Sequence, residues 1–501
     1  MMFGPVATSM PQIILLGNWL LEMNFVDKWK RLKKNPYFWM VLSVFLMHVL
    51  GVFYSEDKKA AGDDLWIKMP LFFLPLIFFS SDPLNEREWK GFLKGFVWGT
   101  ALSLAWCLLY SFVLHPHEEV RNTSRFMSHI RLSLYVNLAV VTGVWLTLRA
   151  SILGERLVWV AVVLYLVLCL FLLGLAGGLV LLVLLMSGAV LWLVLRQKLG
   201  LKLLSLTVLA VTLFMMVQYV VTIKNEQLIP KKEAINQPVP FNKQGRGLIH
   251  FDTTGQTENG YYVLMNIQME DLRREWNKRA GADTFNYALP YNLKRYEILL
   301  RYLASKGLPR DSVGVVALSH QDIANIQQNI SNYRFPEWSF LHKRVIELVN
   351  EYADFESRSH VNGHSFTMRL YFAEAALKVI STSPWIGVGT GDVQTSLNRV
   401  YSTEASPLSP EWYKRPHNQY LSIAVAFGIL GLLVFLASVF LPLWLLRKDL
   451  PAVYLPFLVI FVWSCCFEDT LDTQAGLSFF AVFNNLCVSM ASFKKKQILE
   501  G

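Results

Sequence analysis

Long apolar runs recur along the chain, and they constrain its fold more than any other feature. They cover residues 5–22, 37–54, 64–80, 90–114, 128–149, 156–173, 177–196, 201–223, 418–446, 451–467 and 474–492. A helix needs roughly 20 apolar residues to cross about 30 Å of hydrocarbon, and a bilayer admits only helices and closed barrels. Since 53% of the 501 residues are hydrophobic and 17% are charged, we predict an all-α, polytopic helical membrane protein with about 11–12 transmembrane helices.

The basic residues predict the orientation of these helices. The net charge is +10, and lysines and arginines cluster at 28–34, 149–156, 196–198, 447–448 and 494–496. If the spans alternate in direction, all of these clusters face the cytoplasm, as the positive-inside rule requires. We therefore expect no nucleic-acid partner. Eleven spans would leave the amino terminus outside, so either the first run is atypical or the start of the chain is truncated.

The distribution of apolar runs divides the chain into three regions. They are an N-terminal transmembrane bundle at 1–223, an extracytoplasmic helical loop at 224–416, and C-terminal transmembrane helices at 417–501. In the loop, apolar residues recur at helical spacing around 296–303, and Asp311 or Ser312 and then Ser319 can cap short helices. A last loop helix over about 365–382 carries an apolar stripe. We expect the loop to form a helical lid that contains part of the active site.

One polar motif stands where the loop enters the membrane again. Arg415-Pro416-His417-Asn418-Gln419-Tyr420-Leu421 leads directly into an apolar helix. A histidine can take a proton from an attacking hydroxyl or donate a hydrogen bond to an anion. The alternative is a histidine that only caps the helix or lies at the interface.

Two arginines could take part in the same chemistry. The planar guanidinium matches phosphate oxygens in two-point contacts, and Arg369 lies near the start of the last loop helix, whereas Arg131 opens an apolar span at its outer end. The alternatives are a solvated charge for Arg369 and snorkelling to the interface for Arg131. The glycine-rich segment 387–391 follows no strand, so we interpret it as a turn and not as a nucleotide-binding loop.

These motifs together resemble the O-antigen ligase family, which also contains O-antigen polymerases and protein O-oligosaccharyltransferases. The segments that carry the resemblance are the helix with Arg369, Pro384-Trp385-Ile386-Gly387-Val388-Gly389-Thr390-Gly391-Asp392, Arg415-Pro416-His417-Asn418-Gln419-Tyr420-Leu421, Phe427-Gly428-Ile429-Leu430-Gly431-Leu432, and the earlier Ser128-His129-Ile130-Arg131-Leu132-Ser133. The large loop near the carboxyl end is also similar.

The resemblance implies a metal-independent glycosyltransferase of the bacterial inner membrane, with the loop in the periplasm and no cofactor. The donor would be a glycan on undecaprenyl diphosphate, and the acceptor a sugar hydroxyl of lipid A-core. The implied catalytic residues are His417 and Arg369, and the implied diphosphate ligands are Arg131, Arg369 and Arg415. Family members often carry a Ser-Arg pair at the outer end of a middle span. This chain has the uncharged segment 174–178 there, so another cation must take that role.

Several functions remain open at this stage. A polymerase would use the same type of donor with a second carrier-linked glycan as acceptor, and a protein O-oligosaccharyltransferase would use a protein hydroxyl. A transporter of lipid-linked sugars would need no bond chemistry, but it would place charges at the bilayer midplane, where this chain has few. A purely structural envelope protein would tolerate alanine at Arg369 and His417. Ligase is our first interpretation.

Overall fold

Helices make up nearly all of the regular structure. The computed structural model describes residues 5–114, 128–197, 199–231, 237, 240, 247, 257–281, 290–357, 365–403 and 408–500. Two compact units divide the chain. The first comprises Met1–Arg196, Tyr371–Ser406 and Pro410–Gly501, and the second comprises Gln197–Leu370 and Pro407–Ser409.

The elements follow in chain order. The first group is α1 Pro5–Leu21, α2 Phe25–Lys33, α3 Pro36–Tyr54, α4 Lys58–Ile67, α5 Pro70–Ser80, α6 Glu86–Leu109 with a π-helical extension Tyr110–Leu114, α7 His129–Arg149, α8 Leu153–Leu172 and α9 Ala176–Leu195. The second group is α10 Leu199–Leu228, β1 Thr257–Glu258, β2 Tyr261–Tyr262, α11 Met269–Ala280, α12 Pro290–Ser305, α13 Ser312–Val316, α14 His320–Gln327, α15 Phe340–Ser357 and α16 Ser365–Thr382. The last group is α17 Val393–Thr403, α18 Gln419–Leu445, α19 Tyr454–Phe467 and α20 Gln474–Glu500, with short 3-10 turns at Pro410–Trp412 and Thr470–Asp472.

The predicted fold class is confirmed: the protein is an all-α, multi-pass membrane protein. Within the described ranges, eight helices are long and apolar enough to cross a bilayer, namely α3, α6, α7, α8, α9, α10, α18 and α20. The apolar window of α20 is 89% buried, and α20 packs against α1, α3, α5, α7 and α19. Since α20 touches so many helices, it forms the centre of the first unit.

The prediction that residues 64–80 form a single spanning helix is wrong. The run 64–80 is divided between α4 and α5. The chain breaks at Lys68 and Met69, and Pro70 begins the next helix at a position where the missing N–H costs nothing. Lys68 is buried at the break, with 0% of its side chain exposed. The break therefore places a charge inside a stretch that would otherwise form one apolar helix.

Polar caps fix where three helices of the first unit begin. The Asn35 side chain accepts hydrogen bonds from the first turn of α3, the Ser128 hydroxyl accepts from Arg131 N, and the Asn418 side chain accepts from Leu421 N. Such caps satisfy N–H groups that have no partner inside the helix. Two of them fix the start of α7, which contains Arg131, and the start of α18, which follows His417.

Helix α18 is interrupted at Gly428, where the predicted turn crosses it. Gly428 has φ 65° and ψ −165°, a conformation that only glycine adopts readily. The carbonyls of Val425 and Ala426 accept from the N–H groups of Val388 and Gly389, at 3.0 and 2.8 Å, and Ile429 N donates to Pro384 O at 2.8 Å. The unwound backbone of α18 and the turn after Pro384 thus form hydrogen bonds with each other. Backbone groups buried inside a membrane protein need such partners.

The second unit packs around an apolar core of its own. Leu299 and Leu303 on α12 are buried together with Ile267, Trp276 and Val315. The α10 helix, about 45 Å long, ends beside the β1–β2 hairpin, where Gln227 Nε2 donates to Asn259 Oδ1 at 3.0 Å. Asp311 and Ser319 cap α13 and α14, as predicted. The division into 1–223, 224–416 and 417–501 stays a prediction, because it refers to the sides of a membrane.

Candidate active site

The short connection between α19 and α20 is the centre of a charged cluster in the first unit. Residues 468–473 carry three carboxylates, and each faces a basic side chain from another part of the chain. The nitrogen–oxygen distances are 3.5 Å for Arg131–Glu468, 3.9 Å for His417–Asp469 and 2.7 Å for Arg415–Asp472. The fold therefore brings three of the predicted site residues onto one acidic segment, which we call the acidic connection.

His417 is held both by its backbone and by one face of its ring. It has a φ of 50°, in the left-handed region, and its N–H donates to Asp469 Oδ2 at 3.0 Å. The Phe372 ring lies 5.7 Å from the imidazole between centroids. Since 34% of the His417 side chain is exposed, a substrate hydroxyl can approach the imidazole. This arrangement suits a positioned proton acceptor.

The two amides after His417 fasten the motif to the rest of the unit. Asn418 caps α18 with its side-chain oxygen and donates from Nδ2 to Cys466 O at 3.1 Å. Gln419 is buried, and its Oε1 accepts from Leu471 N at 2.6 Å. Both amides therefore bind backbone groups at the end of α19 and in the acidic connection. Their role in this structure is to hold His417 against that connection.

Asp469 is the site residue that the sequence motifs missed most clearly. Its carboxylate accepts from the Ser422 hydroxyl at 2.5 Å and from His417 N. Burial, reinforced by the negative charge of Asp472, raises the pKa of Asp469 to about 6, although the two hydrogen bonds and Arg415 oppose the shift. When ionised, this carboxylate favours positive charge on the imidazole.

Four charges neutralise one another on the other side of the acidic connection. Lys68 Nζ lies 2.6 Å from Asp472 Oδ1 and 3.4 Å from Asp64 Oδ1, and Arg415 Nη1 lies 3.7 Å from the same Asp64 oxygen. Burial alone would raise the pKa of Asp472, but Lys68 and Arg415 bring it well below its usual range. Arg415 is thus already paired with two carboxylates through Nη1, and 29% of its side chain is exposed.

Arg131 lies inside the protein surface and is not extended toward solvent. It is the third residue of α7, its side chain is 22% exposed, and the facing Glu468 side chain is 8% exposed. Arg131 Nε is buried with no hydrogen-bond partner among the described residues. This geometry fits an inward-facing cation better than a snorkelling one.

The uncharged segment 174–178 packs directly on the helix that carries Arg131. Gly178 O accepts from Asn137 Nδ2 of α7 at 3.0 Å. A Cβ at Gly178 would lie 2.7 Å from Ser133 Cβ, so no side chain fits there. Gly178 thus allows the first turn of α9 to approach α7 at Ser133 and Asn137. The segment 174–178 therefore supplies no cation to the site.

Arg369 lies on α16, the helix predicted over about 365–382 and observed at Ser365–Thr382. It belongs to the second unit, while α16 continues into the first from Tyr371 onward. At the start of α16, the Thr367 hydroxyl donates to Glu351 O of α15 at 2.6 Å. The catalytic role of Arg369 stays a prediction.

The acidic connection could have been suspected from its composition. Three carboxylates occur within residues 468–473, between two apolar runs, where a plain turn needs none. The sequence alone does not say which basic groups they face, since Lys68 and Asp472 are far apart in the chain. The partners become evident only in the folded structure, where Lys68 and Arg415 both meet the acidic connection.

The fold and the cluster define a multi-pass membrane protein with a charged site at one end of its helices. Residues 312–436 match the family model described as O-antigen ligase, so the chain carries the domain of this family and the resemblance is confirmed. The match includes Arg369, Arg415 and His417, whereas Arg131 and the acidic connection lie outside it. No curated protein matches the chain. The matched domain supports an activity of the O-antigen ligase or polymerase type.

Proposed function

We propose that this protein is an O-antigen ligase, which transfers a glycan from undecaprenyl diphosphate to a sugar hydroxyl of lipid A-core. The observation that carries the proposal is the convergence of Arg131, Arg415 and His417 on the acidic connection. A lipid-linked diphosphate needs cations for its charge, and an acceptor hydroxyl needs a base. The cluster offers both within one unit.

The reaction that we propose makes one bond and breaks one bond. The acceptor oxygen attacks the anomeric carbon, the bond from that carbon to the diphosphate breaks, and the hydroxyl proton passes to the imidazole of His417. Arg131, Arg369 and Arg415 stabilise the charge that develops on the departing diphosphate. Because this leaving group is already good, positioning and charge stabilisation can supply most of the catalysis without a metal.

The charge distribution of the helices supports a periplasmic site in the inner membrane. The helices α7, α18 and α20 all begin beside the cluster, and their far ends are followed by or contain Arg149, Arg447, Lys448 and the lysines at 494–496. Cytoplasmic ends of spans are enriched in lysine and arginine. We therefore assign the far ends to the cytoplasm and the cluster to the periplasmic face.

The test compares strains of the native bacterium that lack this gene and carry a restored copy. The copies encode the parent chain, His417→Ala, or His320→Ala, an exposed histidine of α14 as a matched control. Lipid A-core and carrier-linked glycan are separated and their chain lengths compared. In the strain that lacks the gene, uncapped core together with long glycan chains on the carrier lipid supports a ligase. Core capped with a single repeat in that strain supports a polymerase. Normal capping by a well-expressed His417→Ala protein would remove the proposed role of His417.

A second assay separates an enzyme from a transporter. In detergent solution no compartments exist, so only bond formation can join donor glycan to lipid A-core. We expect the purified parent protein to form this product with added chelator. A protein that moves lipid-linked sugars in vesicles but forms no product in detergent would refute the enzymatic function altogether.

A further inference from the structure

A basic recess lies at the end of the first unit opposite the acidic connection. It has a volume of about 580 Å³ and is lined by Glu86, Arg87, Lys90, Gly91 and Lys94, all from the start of α6. Space beside Gly91 is open, because a Cβ there would meet no atom within 4 Å. The recess is separate from the proposed active site.

An ion pair between the start of α6 and the start of α8 shows at which end of the first unit the recess lies. Lys94 Nζ is 2.8 Å from Glu155 Oε1 on the first turn of α8. Helix α8 follows the carboxyl end of α7 at Arg149, whereas Arg131 is at the amino end of α7. The recess therefore belongs to the end that we assign to the cytoplasm.

The cations around the recess keep enough freedom to bind an anion. Lys90 is 36% exposed and Lys94 is 43% exposed, and each pairs with a single surface carboxylate. Exposed ion pairs of this kind contribute little to the stability of the fold. Within the described ranges, Arg87 makes no ion pair that competes for its guanidinium. Lysine and arginine in the first turns also oppose the helix dipole, so they do not serve the stability of α6.

The same face of α6 continues as an apolar surface toward the middle of the helix. Successive turns carry Trp98, Leu102 and Trp106, which are 45%, 61% and 44% exposed. Residues 87, 94, 98 and 102 share one side at a helical spacing of 3.6 residues per turn. A cationic recess followed by an apolar stripe matches the anionic headgroup and the acyl chain of a single phospholipid. Basic side chains at the cytoplasmic end of a membrane helix attract such headgroups.

The geometry points to a binding site for an anionic phospholipid at the start of α6, in the leaflet opposite the proposed active site. The phosphodiester contacts Arg87, Lys90 and Lys94, and one acyl chain lies along Trp98 and Leu102. The inference is independent of the reaction that the protein catalyses.

The test uses the purified full chain and native mass spectrometry. The probes are phosphatidylglycerol, phosphatidylcholine with the same acyl chains, and inorganic phosphate. The variant is R87Q/K90Q/K94Q. The matched control is K494Q/K495Q/K496Q, which removes three charges at the same end of the bundle, on α20. The single variant R87E provides a second test in case the triple variant folds poorly.

We expect the parent protein to retain phosphatidylglycerol at least about tenfold better than phosphatidylcholine, since each nearby cation contributes roughly fivefold. The R87Q/K90Q/K94Q and R87E proteins should lose most of this preference, and the control should keep it. Unchanged preference in both α6 variants would overturn the site. An equal loss in the control would mean a diffuse charge effect and not a site. Displacement of the lipid by millimolar inorganic phosphate would mean that the recess binds phosphate without the acyl chain.

Discussion

Replacing Asp469 with asparagine tests the role of the acidic connection most directly. The amide can keep the shape of the site, because its oxygen can accept from His417 N while its nitrogen donates to the Ser422 hydroxyl. What the substitution removes is the negative charge 3.9 Å from His417 Nδ1. Asp469→Asn therefore separates the charge of this side chain from its hydrogen bonding.

The separation of 3.9 Å sets the size of the expected effect. Two unit charges at about 4 Å interact by about 4 kcal/mol at an effective dielectric constant near 20. Solvent at the partly exposed His417 screens part of this energy. A difference of 1.36 kcal/mol corresponds to tenfold in rate. We expect Asp469→Asn to lower the transfer rate by roughly ten- to a thousandfold.

The same substitution should raise stability, which distinguishes lost function from damage to the fold. The pKa of Asp469 is raised to about 6, so the protonated form favours the folded state. That contribution is complete below the ordinary pKa of aspartate and is lost as the pH rises through about 6. Asparagine carries no charge at any pH. We therefore expect Asp469→Asn to melt above the parent protein near pH 8 and close to it near pH 4.

The assay combines the initial rate of glycan transfer from pH 5 to 8 with thermal melting of the purified protein in detergent. In the parent protein, activity should fall as the pH decreases through about 6, and this acidic limb should change in the variant. Asp449→Asn is the control, since Asp449 also faces a cation, Lys494, at 3.9 Å. An Asp469→Asn protein with parental activity and an unchanged pH profile would refute this reasoning.

Three further predictions concern charge balance, backbone shape and donor binding. Asp472→Asn should cost about 3–5 kcal/mol of stability, because it leaves Lys68 buried with too little negative charge. Adding Lys68→Met to this variant should restore most of the lost stability. If thermal melting shows instead that the two substitutions destabilise the protein additively, the proposed charge balance is contradicted. Gly428→Ala should cost at least about 1–3 kcal/mol because of its positive φ, while Gly99→Ala, where space is open, should be nearly neutral. If the Gly428→Ala and Gly99→Ala proteins have the same melting temperature, the backbone at Gly428 does not require glycine. Arg131→Lys should raise the KM for the donor by roughly tenfold through loss of the two-point contact, and Arg131→Ala should raise it further; an unchanged KM in initial-rate measurements would exclude Arg131 as a diphosphate ligand.

Local signals made the helices predictable. The bounds predicted for α16, about 365–382, agree with the structure because an apolar stripe and Pro384 mark them within the segment itself. Caps at Asp311 and Ser319 are likewise set by residues two or three positions away. The run 64–80 failed for the opposite reason. Its break depends on Lys68, whose buried charge is balanced by Asp64, four residues earlier, and by Asp472, which is distant in the chain and lies 2.6 Å away.

The basic residues of the candidate site were predictable from the sequence, and the acidic residues that pair with them were not. Arg131, Arg415 and His417 attract attention because a cation or a histidine at the end of an apolar span needs an explanation. Glu468, Asp469 and Asp472 reveal less, because the sequence shows that the connection is acidic but not which cations it faces. Their burial is a tertiary property, since it arises where the acidic connection meets the start of α18. No periodicity or spacing within the connection encodes it.

The paired charges also explain how such a site can exist before its substrate arrives. Several cations close together at a membrane surface would repel one another and would destabilise the fold. The acidic connection removes that repulsion by giving each cation a carboxylate partner. In the proposed reaction, a diphosphate would exchange carboxylate contacts for phosphate contacts, so its binding energy would reflect a difference between two charge pairings. Lys68 is fully buried and paired with Asp472, so in this proposal it would hold Asp472 in place during the exchange.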